Sequence, residues 1–314
     1  MRFLLVGNYG VQNLGDEALK NYFQSHFPNV HWDILSAHPS SQELPRLPAG
    51  LRSFFSFQWI RTWKALRHSN GIVFGGGTLF TDTESVHACI LWGVHAWAAR
   101  MLKKPYFLAF QGVGPVHGRL GTAITGYVLA HATFISVRDR ASVLEVQRLA
   151  PTVPCLQTFD PMFLITAEQK KEPSSKKTLV VIPRSAVSLS FEERVKEMAP
   201  AYEEILILSL QPGNAREQET CKRLSAMLGA NATHHAVHSF AELVALLGHA
   251  TFVLSQRYHG LLAALALGIP SQAVPQKEGD KLASLEKEWQ GNMEDVQKSI
   301  AHAETALKEA MKNL

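Results

Sequence analysis

The chain is short of cysteine, short of charge and without a long apolar run. Its three cysteines, Cys89, Cys155 and Cys221, are odd in number, far apart and without C-x-x-C spacing. That excludes a disulfide framework and a cysteine-based zinc cluster, and it fits a reducing compartment. Charged residues make up 18% of the chain, below the roughly 25% usual for soluble domains. The net charge of +4 is too small for a dedicated nucleic-acid binder, though it suits anionic substrates. Phe3 to Gly7 is shorter than a signal-peptide core, and Leu261 to Pro270 is about half a membrane span. The expectation is a cytoplasmic protein with no spanning segment. No internal repeat is visible.

What the chain does have is core. Hydrophobic residues reach 46% over 314 positions, enough for two domains at about 150 residues each. Short β-rich runs at 2–7, 30–35, 71–75, 105–110, 133–137 and, more weakly, 153–156 alternate with helical stretches, as they do in βαβ units with a parallel sheet. The run EQKKEPSSKK at 168–177 is too polar to pack and is expected to be a linker. The pattern restarts at 178–182, 204–209, 233–237, 251–255 and 270–274. The predicted class is therefore α/β, with two doubly wound, Rossmann-like domains at 1–167 and 178–314. Residues 294–314 place Val296, Ile300, Ala303, Leu307, Met311 and Leu314 at helical spacing, predicting an amphipathic terminal helix. The positive charge is uneven, with 14 basic and 9 acidic residues in 1–167 against 17 and 18 in the remainder.

In open α/β sheets ligands sit beyond the carboxyl ends of the strands, where helix N-termini offer unpaired N–H groups. The segments in those positions are GNYGVQNLGDEAL (7–19), Gly75 to Gly77, QGVGP (111–115), Ser136 to Arg140, Pro183-Arg184-Ser185, Gln211 to Asn214, and Ser255 to Gly260. The first is not G-x-G-x-x-G, and only Asp33 could serve a ribose, so a dinucleotide site is weakly supported. The last is the most informative. Arg257 and His259 combine a rigid fork for phosphate or carboxylate with an imidazole, the side chain type that titrates nearest neutrality. The plain alternatives remain open: an arginine answering a neighbouring carboxylate, a histidine satisfied in the core, and glycines that simply close tight turns.

In that order, GNYGVQNLGDEAL, GGGTLFTD, QGVGP, ISVRDRAS, FDPMF and SQRYHGLLAALALGIP resemble the motifs of the polysaccharide pyruvyl transferase family, its bacterial cell-wall branch most closely. The resemblance implies a fold similar to the type B glycosyltransferases (GT-B). It also implies transfer of pyruvate from phosphoenolpyruvate to a sugar as a ketal, with release of phosphate. The implied acceptor is N-acetylmannosamine or a similar sugar on a lipid-linked cell-wall or exopolysaccharide precursor. No cofactor beyond the co-substrate phosphoenolpyruvate is implied, and the amino-terminal domain is expected to hold the acceptor. By similarity to the family's Arg-x-His motif, His259 is the expected acid/base, with Arg257 and Arg138 clamping the donor. Arg184 is a further donor contact, and Asp16 would accept a hydroxyl proton or bind the sugar. Asn13, Gly15, Gly76, Gly77, Gln111, Ser255 and Gly260 complete the expected substrate contacts.

Two rival readings stand beside this one. A nucleotide-sugar glycosyltransferase of the same fold would want a carboxylate on the helix after His259, and none follows before Glu278. A non-catalytic sugar-binding module would not need His259 beside Arg257. Outside the loops, residues 51–68 interleave Phe54, Phe55, Phe57, Trp59 and Trp63 with Arg52, Arg61, Lys64 and Arg67. This stretch is either a sheet-covering helix with its cations in water or a helix docked on the inner membrane face. His234, His235 and His238 lack a neighbouring carboxylate or cysteine, so no metal is expected. Glu286 and Glu288 read as a solvated face.

Overall fold

The computed structural model describes residues 1–167, 176–276, 281–289 and 291–314. All but the last two positions of the expected linker 168–177 lie outside the described residues, as does Glu278. The chain forms two compact units. One comprises Met1–Val11, Leu19–Pro161 and Lys298–Leu314, and the other Gln12–Ala18 and Met162–Gln297. Each unit thus takes in sequence that a single division near residue 170 would assign to the other.

The first unit is built on β1 (Arg2–Val6), α1 (Leu14–His26) from Leu19 onward, β2 (His31–Ser36), β3 (Leu44–Pro45), α2 (Leu51–Phe55), α3 (Trp59–His68), β4 (Gly71–Gly75), β5 (Thr78–Phe80), α4 (Val86–Met101), β6 (Tyr106–Val113), α5 (Arg119–His131), β7 (Phe134–Val137), α6 (Arg140–Leu149) and β8 (Leu156–Gln157). Its strands are parallel, in the order β3-β2-β1-β4-β6-β7-β8, with β5 on β6. Strands covered on both faces need apolar side chains in both directions. That is why FLLV of β1, GIVFG and YFLAF are unbroken apolar runs rather than alternating ones. Helix starts are fixed by side-chain caps such as Ser85 on the amide of His87 and Asp139 on that of Ser142.

The second unit contains α7 (Met162–Ala167), β9 (Thr178–Ile182), α8 (Leu189–Met198), β10 (Glu204–Ser209), α9 (Ala215–Leu228), β11 (Ala232–Ala236), α10 (Phe240–Gly248), β12 (Phe252–Ser255), α11 (Tyr258–Ala266), β13 (Ser271–Ala273) and α12 (Lys281–Glu288). Its parallel order is β11-β10-β9-β12-β13. Between β9 and β12 the chain reverses its direction of progress across the sheet. The segments leaving those two strands diverge there, and such a switch point leaves a crevice at the strand ends.

Helix α13 (Met293–Lys312) follows. Val296, Ile300, Ala303, Leu307 and Met311 are buried as the spacing predicts, whereas Leu314, expected on the same stripe, is exposed beyond the last turn. Within the first unit Glu304 of this helix accepts a short hydrogen bond from the Tyr22 hydroxyl. Glu304 also lies 3.0 Å from His26 Nδ1 and 3.3 Å from Lys308 Nζ. Burial, followed by the nearby Glu304 charge, pushes the Tyr22 hydroxyl well above its ordinary pKa, so it stays a hydrogen-bond donor.

Candidate functional site

The switch point of the second sheet gathers most of the expected residues. Arg184 leaves the end of β9 and Arg257 the end of β12, adjacent strands in parallel register. Gln256 joins the two ends, since its amide donates to the Ile182 carbonyl at 2.8 Å and its side-chain oxygen accepts from the Arg184 amide at 3.3 Å. Buried Ser255 closes a tight turn. Its hydroxyl accepts from the Arg257 amide at 3.0 Å and donates to the Arg257 carbonyl at 2.9 Å. That turn delivers Arg257 to the N-cap of α11 and His259 to its first turn. A side chain at Gly260 would press on Ile182 and on the Ser255 hydroxyl, so glycine is what lets α11 sit this close to β9.

The amino-terminal segment Gln12–Ala18 belongs to this same unit. The Leu14 amide reaches the Leu210 carbonyl at 3.4 Å, and α1 begins with the Glu17 amide on the Asn13 carbonyl at 3.0 Å. A β-carbon at Gly15 would overlap the His259 imidazole, and one at Gly213 would overlap the Gln12 carboxamide. The first turns of α1 and α11 therefore meet at Gly15 and His259. Each presents backbone N–H groups without intrahelical partners and the positive end of a helix dipole. Asp16 is 7% exposed in this first turn of α1. Asn13, Gly15, Asp16, Arg184, Ser255, Arg257, His259 and Gly260 are brought together as one constellation of the second unit.

Arg257 does not stand alone. Its Nη2 donates to Gln211 Oε1 at 2.9 Å and forms a short ion pair with Glu217. Glu217 is fully buried and also accepts from the Ser209 hydroxyl at 3.0 Å and the Gln211 amide at 2.9 Å. The arginine thus answers a neighbouring carboxylate, one of the plain alternatives considered above, and that carboxylate fixes the direction of its fork. Sequence reasoning missed Glu217. Its one signal was its place three residues after Asn214, which caps α9 through the Arg216 and Glu217 amides. That spacing reads as an ordinary capping box.

The remaining expected residues lie in the first unit and have structural partners there. Arg138 is 5% exposed; its Nη1 pairs with buried Asp160 at 2.5 Å and its Nη2 donates to the Thr78 hydroxyl at 3.1 Å. Expected as a donor clamp, it is held inward by that carboxylate. Gln111 was expected in a loop after a strand ending at residue 110, but β6 runs on through Val113. Its carboxamide nitrogen is spent on the carbonyls of Phe74 at 3.1 Å and Gly76 at 2.9 Å. Gly76 and Gly77 both adopt φ near +75°, at 76° and 74°, the left-handed region where side chains are disfavoured. Their backbones bond Ala109 and Gly112 of β6. These four residues shape the end of the first sheet. Histidine acts elsewhere as structure too: His234 Nε2 lies 2.8 Å from Gln218 Oε1, and burial lowers its pKa. Among the described residues no cluster of His, Cys, Asp and Glu could hold a metal.

The polysaccharide pyruvyl transferase family pattern matches residues 13–276. No curated protein matches the chain. Among solved structures, UDP-N-acetylglucosamine 2-epimerase from Rickettsia bellii is 11% identical over 100% of this chain and 96% of its own, with a TM-score of 0.62. Anabaena Alr3699/HepE in complex with UDP-glucose is 10% identical over 99% and 95%, at 0.58. The lipopolysaccharide outer core galactosyltransferase WaaB is 11% identical over 100% and 99%, at 0.52. At such identities the likeness is one of fold, that of the GT-B glycosyltransferases and related epimerases.

Proposed function

Because the chain belongs to the polysaccharide pyruvyl transferase family, we propose that it moves pyruvate from phosphoenolpyruvate onto a sugar of a lipid-linked polysaccharide precursor at the inner membrane face. The observation that carries this reading is the meeting of Arg257, His259 and the first turn of α1 in the second unit. Phosphoenolpyruvate is small, with a phosphate and a carboxylate close together, and it needs cationic groups and backbone N–H donors rather than a broad apolar pocket. The Arg257 guanidinium, with Arg184 from the adjacent strand end, would take the anionic groups. Glu217 would hold the Arg257 fork in place.

In the proposed reaction the donor methylene carbon takes a proton and becomes methyl, while a sugar hydroxyl oxygen bonds to the adjacent carbon. The bond from that carbon to the phosphate oxygen breaks. A second hydroxyl of the same sugar then closes the ketal. The two hydroxyls lose two protons, one balancing the methyl group and the other leaving with phosphate. His259 is the group assigned to shuttle protons. Asp16, one residue from the Gly15 contact, is assigned to an acceptor hydroxyl. No cofactor or metal enters this scheme.

Labelled phosphoenolpyruvate, with inorganic phosphate as the readout, tests the proposal. Phosphate release that depends on a sugar acceptor is expected, and none with any acceptor would sink it. His259→Ala should lower turnover by about 100-fold or more while the protein stays folded. Near-normal turnover would remove His259 from the acid/base role. A nucleotide-sugar glycosyltransferase is the second reading, favoured by fold neighbours such as the one solved with UDP-glucose. Against it, α11 carries no carboxylate. Release of a nucleoside diphosphate from a sugar nucleotide, without phosphate release from phosphoenolpyruvate, would select that reading.

A further inference from the structure

The stretch 51–68 is not one amphipathic helix. It breaks at Phe57, whose φ is +54°, into α2 and α3, and the two pieces differ in what they bury. Helix α3 turns Thr62 and Leu66 into the first unit, with Trp59 and Trp63 packed on its core. Helix α2 buries nothing. Leu51, Phe54, Phe55 and Phe57 stand 78%, 46%, 64% and 57% exposed, and Ile60 adjoins them. The ledge is nevertheless ordered: Phe54 stacks on Trp59 with ring centroids 5.6 Å apart, and the Trp59 indole donates to the Phe54 carbonyl at 2.9 Å. Arg52, Arg61, Lys64 and Arg67 are exposed in the same two helices. No Asp or Glu occurs between Glu43 and Asp82.

We propose that α2 and the 56–58 turn form a docking surface for an anionic lipid bilayer, with Phe54, Phe55 and Phe57 entering the interface and the four cations on the headgroups. Single exposed apolar residues are ordinary, but an ordered aromatic patch in a stretch whose charges are all of one sign is not. Aromatic rings settle at the headgroup level, and nearby Lys and Arg side chains are drawn to an anionic surface. A second copy of the chain is the poorer occupant, since a two-fold contact would set this cationic surface against itself. The inference concerns the surface alone: vesicle binding needs neither donor nor acceptor, so it stands or falls separately from the proposed transfer reaction.

The test is co-sedimentation of the full chain with phosphatidylcholine vesicles, with and without phosphatidylglycerol. Binding at low salt should be at least about tenfold stronger with phosphatidylglycerol. It should be lost near 1 M salt, where the screening length is about 3 Å. Phe54→Ser/Phe55→Ser/Phe57→Ser should weaken binding about tenfold or more. Arg52→Gln/Arg61→Gln/Lys64→Gln/Arg67→Gln should abolish the preference for phosphatidylglycerol. Both variants change exposed side chains, and unchanged thermal melting would show that they fold. No binding at low salt overturns the proposal, as does equal binding by the Phe variant. A concentration-dependent dimer that the Phe variant abolishes, in a protein that ignores vesicles, would likewise overturn it.

Discussion

At the scale of single residues the second-unit site depends on two close approaches. Gly15 has no room for a β-carbon because the His259 ring occupies that space. Gly15→Ala should therefore displace the imidazole, with overpacking of about 1–3 kcal/mol and turnover reduced at least tenfold. Steady-state kinetics beside thermal melting would separate the two effects, and normal turnover would show that the ring need not hold its position. The second approach is the Arg257–Glu217 pair. Removing one partner of a buried ion pair costs about 3–5 kcal/mol, largely because the other charge is stranded. Glu217→Ala should show that loss in urea denaturation, and the double variant Glu217→Ala/Arg257→Met should recover part of it. Additive single effects would mean that the contact couples nothing. The placement of Arg257 and His259 just beyond one strand end was legible because the apolar run TFVLS and the apolar helix after them bracket the loop. Glu217 was not, because a carboxylate at the third position of a helix has an ordinary local explanation, and its real partner lies 40 positions away.

At the scale of elements, the inner strands β1, β4, β6, β9, β10 and β12 were legible, since a parallel strand covered on both faces must be a largely apolar run. The extension of β6 through Gln111-Gly112-Val113 broke that pattern because the strand carries a polar side chain whose nitrogen bonds backbone carbonyls in the interior. The split of 51–68 was hidden for a different reason: the turn is made by Phe57 in a left-handed conformation, without the Gly or Pro that would have marked it. Another inter-element tie carries a pH signature. His95 of α4 accepts from the Leu47 amide at 3.0 Å, and its Nδ1 donates to the Leu91 carbonyl at 2.8 Å. Burial, more than the nearby Arg46, lowers its pKa from 6.5 to about 4. The unfolded chain therefore takes up the proton first. The stabilisation is present above about pH 6.5 and is lost as pH falls towards 4, by up to about 3 kcal/mol. Urea midpoints measured at pH 7 and pH 5 should fall more for the native protein than for His95→Gln. Equal falls would assign the acid sensitivity elsewhere.

At the scale of the whole molecule, the two units are interleaved in sequence. The first unit takes in Lys298–Leu314 and the second takes in Gln12–Ala18. The amphipathic spacing of 294–314 announced a packed helix but not its partner, because periodicity describes a face and not what covers it. A chain ending at Pro161 should consequently be much less stable than the same chain with 298–314 joined to it. It would lose the burial of Ile300, Ala303, Leu307 and Met311 and the Tyr22–Glu304 contact. Thermal melting of the two chains checks this, and equal midpoints would refute it. The same interleaving sets a timetable for synthesis. At about 5–20 residues per second, roughly 7–30 s separate the emergence of Pro161 from that of α13. Throughout that interval the nascent first unit holds Tyr22 and Phe27 without the helix that packs on them, and for the earlier part of it Gly15 waits for a histidine not yet made. Completion of both units thus waits until α13 has been made, and the cell's chaperones have that long to meet an unfinished surface.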